Sequence, residues 1–266
     1  MATKSPTSST NGSERIKRPE QRPAPPRVSH FTAVQIENAA LCQQLVQCES
    51  ALKEIADFRK YKFPGKHHIT LNLFSEKSFG DEEFSEDLLR ERFEQFTVSE
   101  TLASALKAQS QVSFSDIGNF GSRVLFVDCD AESQHVLRTL SDALHQHMAE
   151  GNILPLQKER FSPHLTLFKW RPRFPRMRRP GVVKFRHILT DFRHRFAASV
   201  LAKDSQSDLP LDETTSSSST ESTSESEEAP QINHWHSQPI VKIQLLKCRT
   251  TESGYYHVVS ELRLSY

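Results

Sequence analysis

The tetrapeptide His68-Ile69-Thr70-Leu71 recurs as His164-Leu165-Thr166-Leu167, each copy inside a short apolar run. Histidine, with an ordinary pKa of about 6.5, takes up or gives up a proton near neutral pH. Two histidines facing one substrate can divide general-base and general-acid work, and a threonine hydroxyl beside each can bond an oxygen on which negative charge gathers. Side chains alternate faces along a strand, so in each copy His and Thr look out of one face while the aliphatic residues pack behind. One His-apolar-Thr-apolar match is expected by chance about 0.1 times in such a chain, so a single copy is weak and the duplication carries the signal. The pattern points to paired-histidine chemistry on a phosphate, with His68 and His164 as the proton-transfer pair and Thr70 and Thr166 as substrate contacts.

Those residues need strands to hold them, and the apolar spacing supplies a coarse order of elements. Residues 31–36 read as a strand and 39–59 as a helix with Leu41, Leu45, Leu52 and Ile55 on one face. Pro64-Gly65 breaks the chain, and 67–74 forms the first motif strand. Residues 84–96 and 100–108 read as helices, then 111–114 and 123–128 as strands flanking a turn over 117–121. Residues 133–148 carry Val136, Leu140, Leu144 and Met148 at four-residue spacing, a helix that should lie against a sheet. Residues 161–168 are the second motif strand, and 241–248 with 255–264 close as a hairpin around Glu252-Ser253-Gly254. Strands and helices alternate in two similar halves, which predicts an α+β protein with one antiparallel sheet per lobe, each giving one His-x-Thr strand to a central cleft. Continued alternation also brings Asn72 and Phe168 toward the motif face, where they could meet a base; core packing is the competing reading of Phe168.

Composition separates this ordered part from two other stretches. Residues 1–28 are rich in Ser, Pro and scattered basic residues without apolar periodicity, a flexible tail. Residues 203–230 form an acidic, Ser-rich insertion in an expected 29–266 domain, with eight acidic residues against the single Lys203 and the run Ser216-Ser217-Ser218-Ser219. Ser218, Ser222 and Ser224 each have Glu three residues on, so phosphorylation would deepen its charge. Between the second motif strand and that insertion, residues 171–195 hold nine arginines and lysines against Asp191, a candidate RNA path or a solvated basic face that the acidic insertion shields. The formal net charge of +1 gives the whole chain no strong bias toward anionic partners. The four cysteines, Cys42, Cys48, Cys129 and Cys248, have neither CxxC nor zinc-type spacing, and no leader opens the chain, so a reducing cytoplasmic or nuclear compartment is expected. No apolar run approaches the roughly 18 residues of a membrane span, and no membrane partner is expected.

The His-x-Thr pair resembles the two-histidine phosphoesterases, the superfamily of LigT-like 2′,5′-RNA ligases and cyclic phosphodiesterases. Within it, residues 114–121 (Phe-Ser-Asp-Ile-Gly-Asn-Phe-Gly), 151–169 ending in Phe-Ser-Pro-His-Leu-Thr-Leu-Phe-Lys, and Ser253-Gly254-Tyr255-Tyr256-His257 are similar to the central domain of gamma-type A-kinase anchoring protein seven. The likeness runs over residues 29–266, with the acidic stretch as an insertion. It implies a bilobal, pseudo-symmetric fold and a metal-independent reaction, without cofactor, at an RNA or nucleotide phosphodiester. It implies AMP-like nucleotide binding and cleavage of 2′,5′-linked oligoadenylate, with 2′,3′-cyclic phosphates and RNA 3′ ends as the wider superfamily's substrates.

Other readings compete. The pairs His67 and His68, His145 and His147, and His234 and His236 invite a metal, but none repeats with Cys or carboxylates at ligand spacing, so no metal is expected. His67 points away from His68 and is not expected to be catalytic. A nucleotide- or RNA-binding module with little catalysis would use the same residues to hold a phosphate. A protein kinase A scaffold is less favoured: the anchoring helix that the resemblance puts beyond the domain is not in this sequence, which stops at Tyr266, and the apolar face of residues 39–59 is better used on the lobe's own sheet. Which histidine is base and which is acid stays open at this level.

Overall fold

The computed structural model describes residues 26–54, 66–80, 83–121, 124–156, 161–169, 192, 235–252 and 254–266. The first half contains β1 (His30–Gln35), α1 (Ala39–Glu54), β2 (His68–Phe74), a 3₁₀ turn (Glu76–Phe79), α2 (Glu86–Glu94) and α3 (Glu100–Ala108). There follow β3 (Gln111–Val112), β4 (Phe114–Phe120), β5 (Val124–Cys129), α4 (Ala131–Glu150), β6 (His164–Lys169), β7 (Gln238–Pro239), β8 (Lys242–Thr250) and β9 (Tyr256–Arg263).

Helix starts follow from their caps. The Ser85, Ser99 and Asp130 side chains accept from the backbone N–H of Leu88, Leu102 and Ser133, satisfying donors that the first turns of α2, α3 and α4 leave unpaired. The four-residue spacing of α4 does what its pattern predicts: Val136, Leu140, Leu144 and Met148 are all buried, and the helix packs on β2. In α1, Leu41, Leu45, Cys48 and Leu52 are likewise buried, within one core that also holds Ile69, Leu71, Leu165 and Leu167. The aliphatic partners of the two motifs thus face the helices. Burying such a Leu or Ile is worth about 1.5–3 kcal/mol each, so the face each motif strand turns to the core is strongly fixed.

Seven strands form an antiparallel sheet in the order β4-β5-β6-β2-β1-β8-β9, and β3 pairs with β7 as a separate two-stranded ribbon. The sheet consists of two antiparallel sets, β2-β1-β8-β9, in which the C-terminal hairpin joins the first two strands, and β4-β5-β6. The expected one-sheet-per-lobe plan therefore closes into a single sheet, because the motif strands β2 and β6 form the inner edge of each half and meet at one register pair, Ile69 with Leu165.

The expected turn over 117–121 is shorter. Residues 117–120 pair with β5 as part of β4, so Gly118 lies within the strand, and Gly121, directly after Phe120, takes φ +57°. Its glycine is required by proximity instead. A Cβ at Gly118 would lie 2.6 Å from the ring of Phe126, its cross-strand partner. The one expected strand at 111–114 is split between β3 and β4, and β7 has no sequence signal because its Pro239 reads as a strand breaker. The continuation of α1 to 59, the bulk of the 1–28 tail, all of the 203–230 insertion and, apart from Phe192, the basic 171–195 stretch lie outside the described residues. Phe192 is buried and belongs to the main core.

Candidate active site

The two motif strands repeat each other in detail. In His68–Phe74 and in His164–Lys169 the first five residues alternate half-buried, buried, half-buried, buried and buried, with His and Thr at the half-buried places. Both strands then carry one extra residue. Phe31 pairs with Leu73 but Ala33 with Thr70, and Leu125 pairs with Phe168 but Phe126 with Thr166, so each motif strand bulges directly after its threonine. A bulge re-aims the side chains beyond it. Asn72 and Phe168, which strict alternation brings to the motif face, are turned into the interior, 6% and 2% exposed.

The bulge in β2 is satisfied by side chains. Asn72 N–H donates to Thr32 Oγ1 at 3.1 Å, Ser141 Oγ of α4 donates to the Leu71 carbonyl at 3.3 Å, and Asn72 Nδ2 donates to the Ser141 carbonyl at 3.2 Å. Buried backbone groups that a bulge removes from the ladder need such partners, and each one lost costs about 1–3 kcal/mol. Asn72 is thus a fastening of the site's backbone, away from any base.

His68 stands at the start of β2 among rings of its own half. Its imidazole centroid lies 5.1 Å from Phe31 and 5.3 Å from Tyr256 of β9, the latter edge-on at 90°. Nδ1 is buried and has no hydrogen-bond partner among the described residues. Burial, with the charges of His67 and His164 acting the same way, pulls the imidazole down to about 4. Desolvation and two like charges each disfavour the cation, so His68 is a neutral imidazole at neutral pH.

His164, at the start of β6, has a different setting. Its Nδ1 lies 2.7 Å from the Ser162 carbonyl. A carbonyl only accepts, so Nδ1 carries the hydrogen and the tautomer is fixed with Nε2 as the other functional nitrogen. Its ring neighbours are Phe120 of β4 at 4.9 Å and Phe126 of β5 at 5.2 Å. Asp128 is its register partner across β5, and burial raises that carboxyl while the charge of His164 acts in the opposite direction.

Thr70 and Thr166 are half-buried, two residues beyond their histidines on the same strand face. The four expected site residues therefore lie on the two neighbouring central strands, and the His164 charge is the smallest of the three influences that lower His68.

His67 ties that seam from behind. It is buried, its Nε2 lies 3.0 Å from Glu49 Oε1 of α1, and its Nδ1 donates to the Thr166 carbonyl at 3.3 Å. One side chain thereby links α1, β2 and β6 where the strands share only one register pair. Sequence reasoning finds that His67 faces away from His68 but has no signal for this linkage, which depends on a contact 99 residues distant. It also misses Phe120, Phe126 and Tyr256, since isolated aromatics in strands carry no chemical pattern. Among the described residues no three His, Cys, Asp or Glu side chains group as ligands for a metal ion, and no helix is long and apolar enough to cross a membrane.

An antiparallel α+β sheet with one His-x-Thr strand from each half at its centre defines the class of the two-histidine phosphoesterases. The chain belongs to the family described as the AKAP7 2′5′ RNA ligase-like domain, whose sequence model matches residues 28–264. Among solved structures it is similar to a crystal structure described as a phosphoesterase, at 13% identity over 91% of this chain and 100% of that one, TM-score 0.47. It is similar to E. coli LigT complexed with 3′-AMP at 13% identity over 91% and 100%, TM-score 0.46. TT0787 of Thermus thermophilus is similar at 17% identity over 89% and 97%, TM-score 0.44. No match was found among curated proteins.

Proposed function

We propose that this chain is a metal-independent phosphodiesterase of RNA or oligonucleotides, acting on 2′,5′-linked oligoadenylate first and on 2′,3′-cyclic phosphate ends as the next substrate class. The observation that carries the reading is the pairing of β2 with β6 through Ile69 and Leu165, which sets the half-buried His68 and His164 on adjacent strands. Membership of a 2′5′ RNA ligase-like family supports this reaction class.

In this mechanism the neutral His68 is the base. It removes the proton from the attacking hydroxyl or water as the new P–O bond forms. His164 enters protonated and gives the Nε2 proton to the leaving oxygen as the old P–O bond breaks, with its Nδ1–H held by Ser162 throughout. Each transfer is worth about 10²- to 10⁴-fold in rate. The hydroxyls of Thr70 and Thr166 donate to the non-bridging oxygens, where charge accumulates. Proton exchange with water resets the pair.

The test is incubation of the full chain, with chelator present, with 2′,5′- and 3′,5′-linked oligoadenylates and an RNA ending in 2′,3′-cyclic phosphate, beside the His68→Ala, His164→Ala double variant. Cleavage by wild type alone is expected, fastest for the 2′,5′ linkage. AMP or RNA binding without turnover would replace the enzyme by a nucleotide-binding module.

A further inference from the structure

The ring of Phe120 is unusual in this fold. It is an aromatic side chain 43% exposed, whereas Phe31, Phe74, Phe93, Phe114, Phe126 and Phe168 are all below 9%. It stands on the last residue of β4, immediately before the left-handed Gly121, and Asn119 Nδ2 donates to the Gly121 carbonyl to hold that reversal. One face of the ring lies on Phe126, centroids 4.3 Å apart and planes 28° from parallel. Phe126 in turn covers Gly118, where any side chain would collide with it. The platform is therefore backed by a second ring and by a glycine that makes room for both. Since one face is covered, the exposed surface of Phe120 is its opposite face and rim.

An apolar ring face open to water is stabilised when a flat apolar surface covers it, and the neighbour that decides what covers this one is His164, 4.9 Å away with its plane at 83°. A phosphate at His164 brings with it a nucleoside whose base lies one ribose away, within reach of the adjoining ring. Resting on the reading of His164 as a phosphate-facing acid, we propose that Phe120 is a base-stacking platform, which binds the nucleobase of the nucleotide whose phosphate His164 contacts. A stacked base meets a π-face, which every base has, so Phe120 selects for a nucleotide over a bare sugar phosphate without choosing among bases. The corresponding rings on the other side do not offer this. Phe31 is buried, and Tyr256 meets both Phe31 and His68 edge-on. The platform accordingly gives the substrate a direction, with one base fixed on the His164 side.

The experiment measures, by calorimetry on the full chain, the affinity of AMP and of ribose 5-phosphate for wild type, Phe120→Ala, Phe120→Trp and His164→Ala. Wild type is expected to prefer AMP. Phe120→Ala should lose about 5- to 150-fold for AMP and leave ribose 5-phosphate unchanged. Phe120→Trp should keep the AMP affinity, and AMP but not ribose 5-phosphate should quench its added indole fluorescence. His164→Ala should weaken both ligands. If Phe120→Ala binds both ligands as wild type does, or weakens both equally, the platform is overturned while the phosphate site stands. If wild type binds neither, the reading of the phosphate site falls, and the platform falls with it.

Discussion

Around His68 and around His164 the sheet presents the same five-residue pattern, the same bulge after threonine and a pair of aromatic rings, yet the two surroundings differ in solvent and polarity. His68 is enclosed by Phe31 and Tyr256, its Nδ1 is buried, and its neighbours hold it neutral. His164 has Nδ1 fixed by the Ser162 carbonyl and an exposed ring, Phe120, beside it. A repeated motif therefore need not give repeated chemistry. A desolvated imidazole beside other imidazoles is held in the neutral form that a base requires, while an imidazole whose Nδ1–H is engaged offers a defined Nε2 for donation. The asymmetry lies in what surrounds the motifs, outside the four residues that repeat.

The largest effects should come from the histidines. His68→Ala and His164→Ala are each expected to lower kcat by about 10²- to 10⁴-fold on oligoadenylate while thermal unfolding stays near wild type, as steady-state kinetics and melting curves will check. Next come Thr70→Val and Thr166→Val, which keep shape and remove the hydroxyl proposed to meet the non-bridging oxygens; a loss of up to about 10²- to 10³-fold in kcat is expected for each.

Structural changes can be aimed at one half at a time. Gly118→Ala pushes a methyl into Phe126 and should cost about 1–3 kcal/mol of stability in denaturant melts, with activity falling through the His164 side. Ser141→Ala leaves the Leu71 carbonyl of the β2 bulge without its hydroxyl partner and should cost about 1–3 kcal/mol, acting through the His68 side.

The smallest effects concern pH. With His68 near 4 in the free protein, the acid limb of kcat/KM should fall near pH 4 instead of near 6.5, and His67→Gln should move that limb upward by removing one of the charges that lower it. Stability follows the same group. Between about 6.5 and 4 the unfolded chain binds the His68 proton and the folded chain does not, so the contribution is whole above 6.5 and is lost as pH falls through that window. Burial lowers His30 as well, with the same sign, and melting temperatures measured from pH 7 to 4 should fall accordingly.

Much of this architecture is legible in the residues alone where one physical signal dominates. The period-two alternation of residues 68–71 and 164–167 locates both motif faces, and the four-residue spacing of Val136 to Met148 locates α4 and its buried side. Long-range pairing is less legible. That two half-sheets join through Ile69 and Leu165 depends on edges meeting, which no local pattern encodes. The bulges are also silent, because Leu71-Asn72 and Leu167-Phe168 continue a plausible alternation; tertiary partners such as Thr32 and Ser141 decide that Asn72 turns inward. Gly118 is misread for the same reason, since a glycine required by a neighbouring ring looks like a glycine required by a turn.

The division of labour between His68 and His164 is tested most directly with a ribonucleoside 2′-(p-nitrophenyl) phosphate, whose leaving group departs without needing a proton. His164→Ala should regain most of wild-type kcat on this substrate while His68→Ala stays impaired, because only the base is still required. Rescue of His68→Ala instead, or equal impairment of both, would contradict the account.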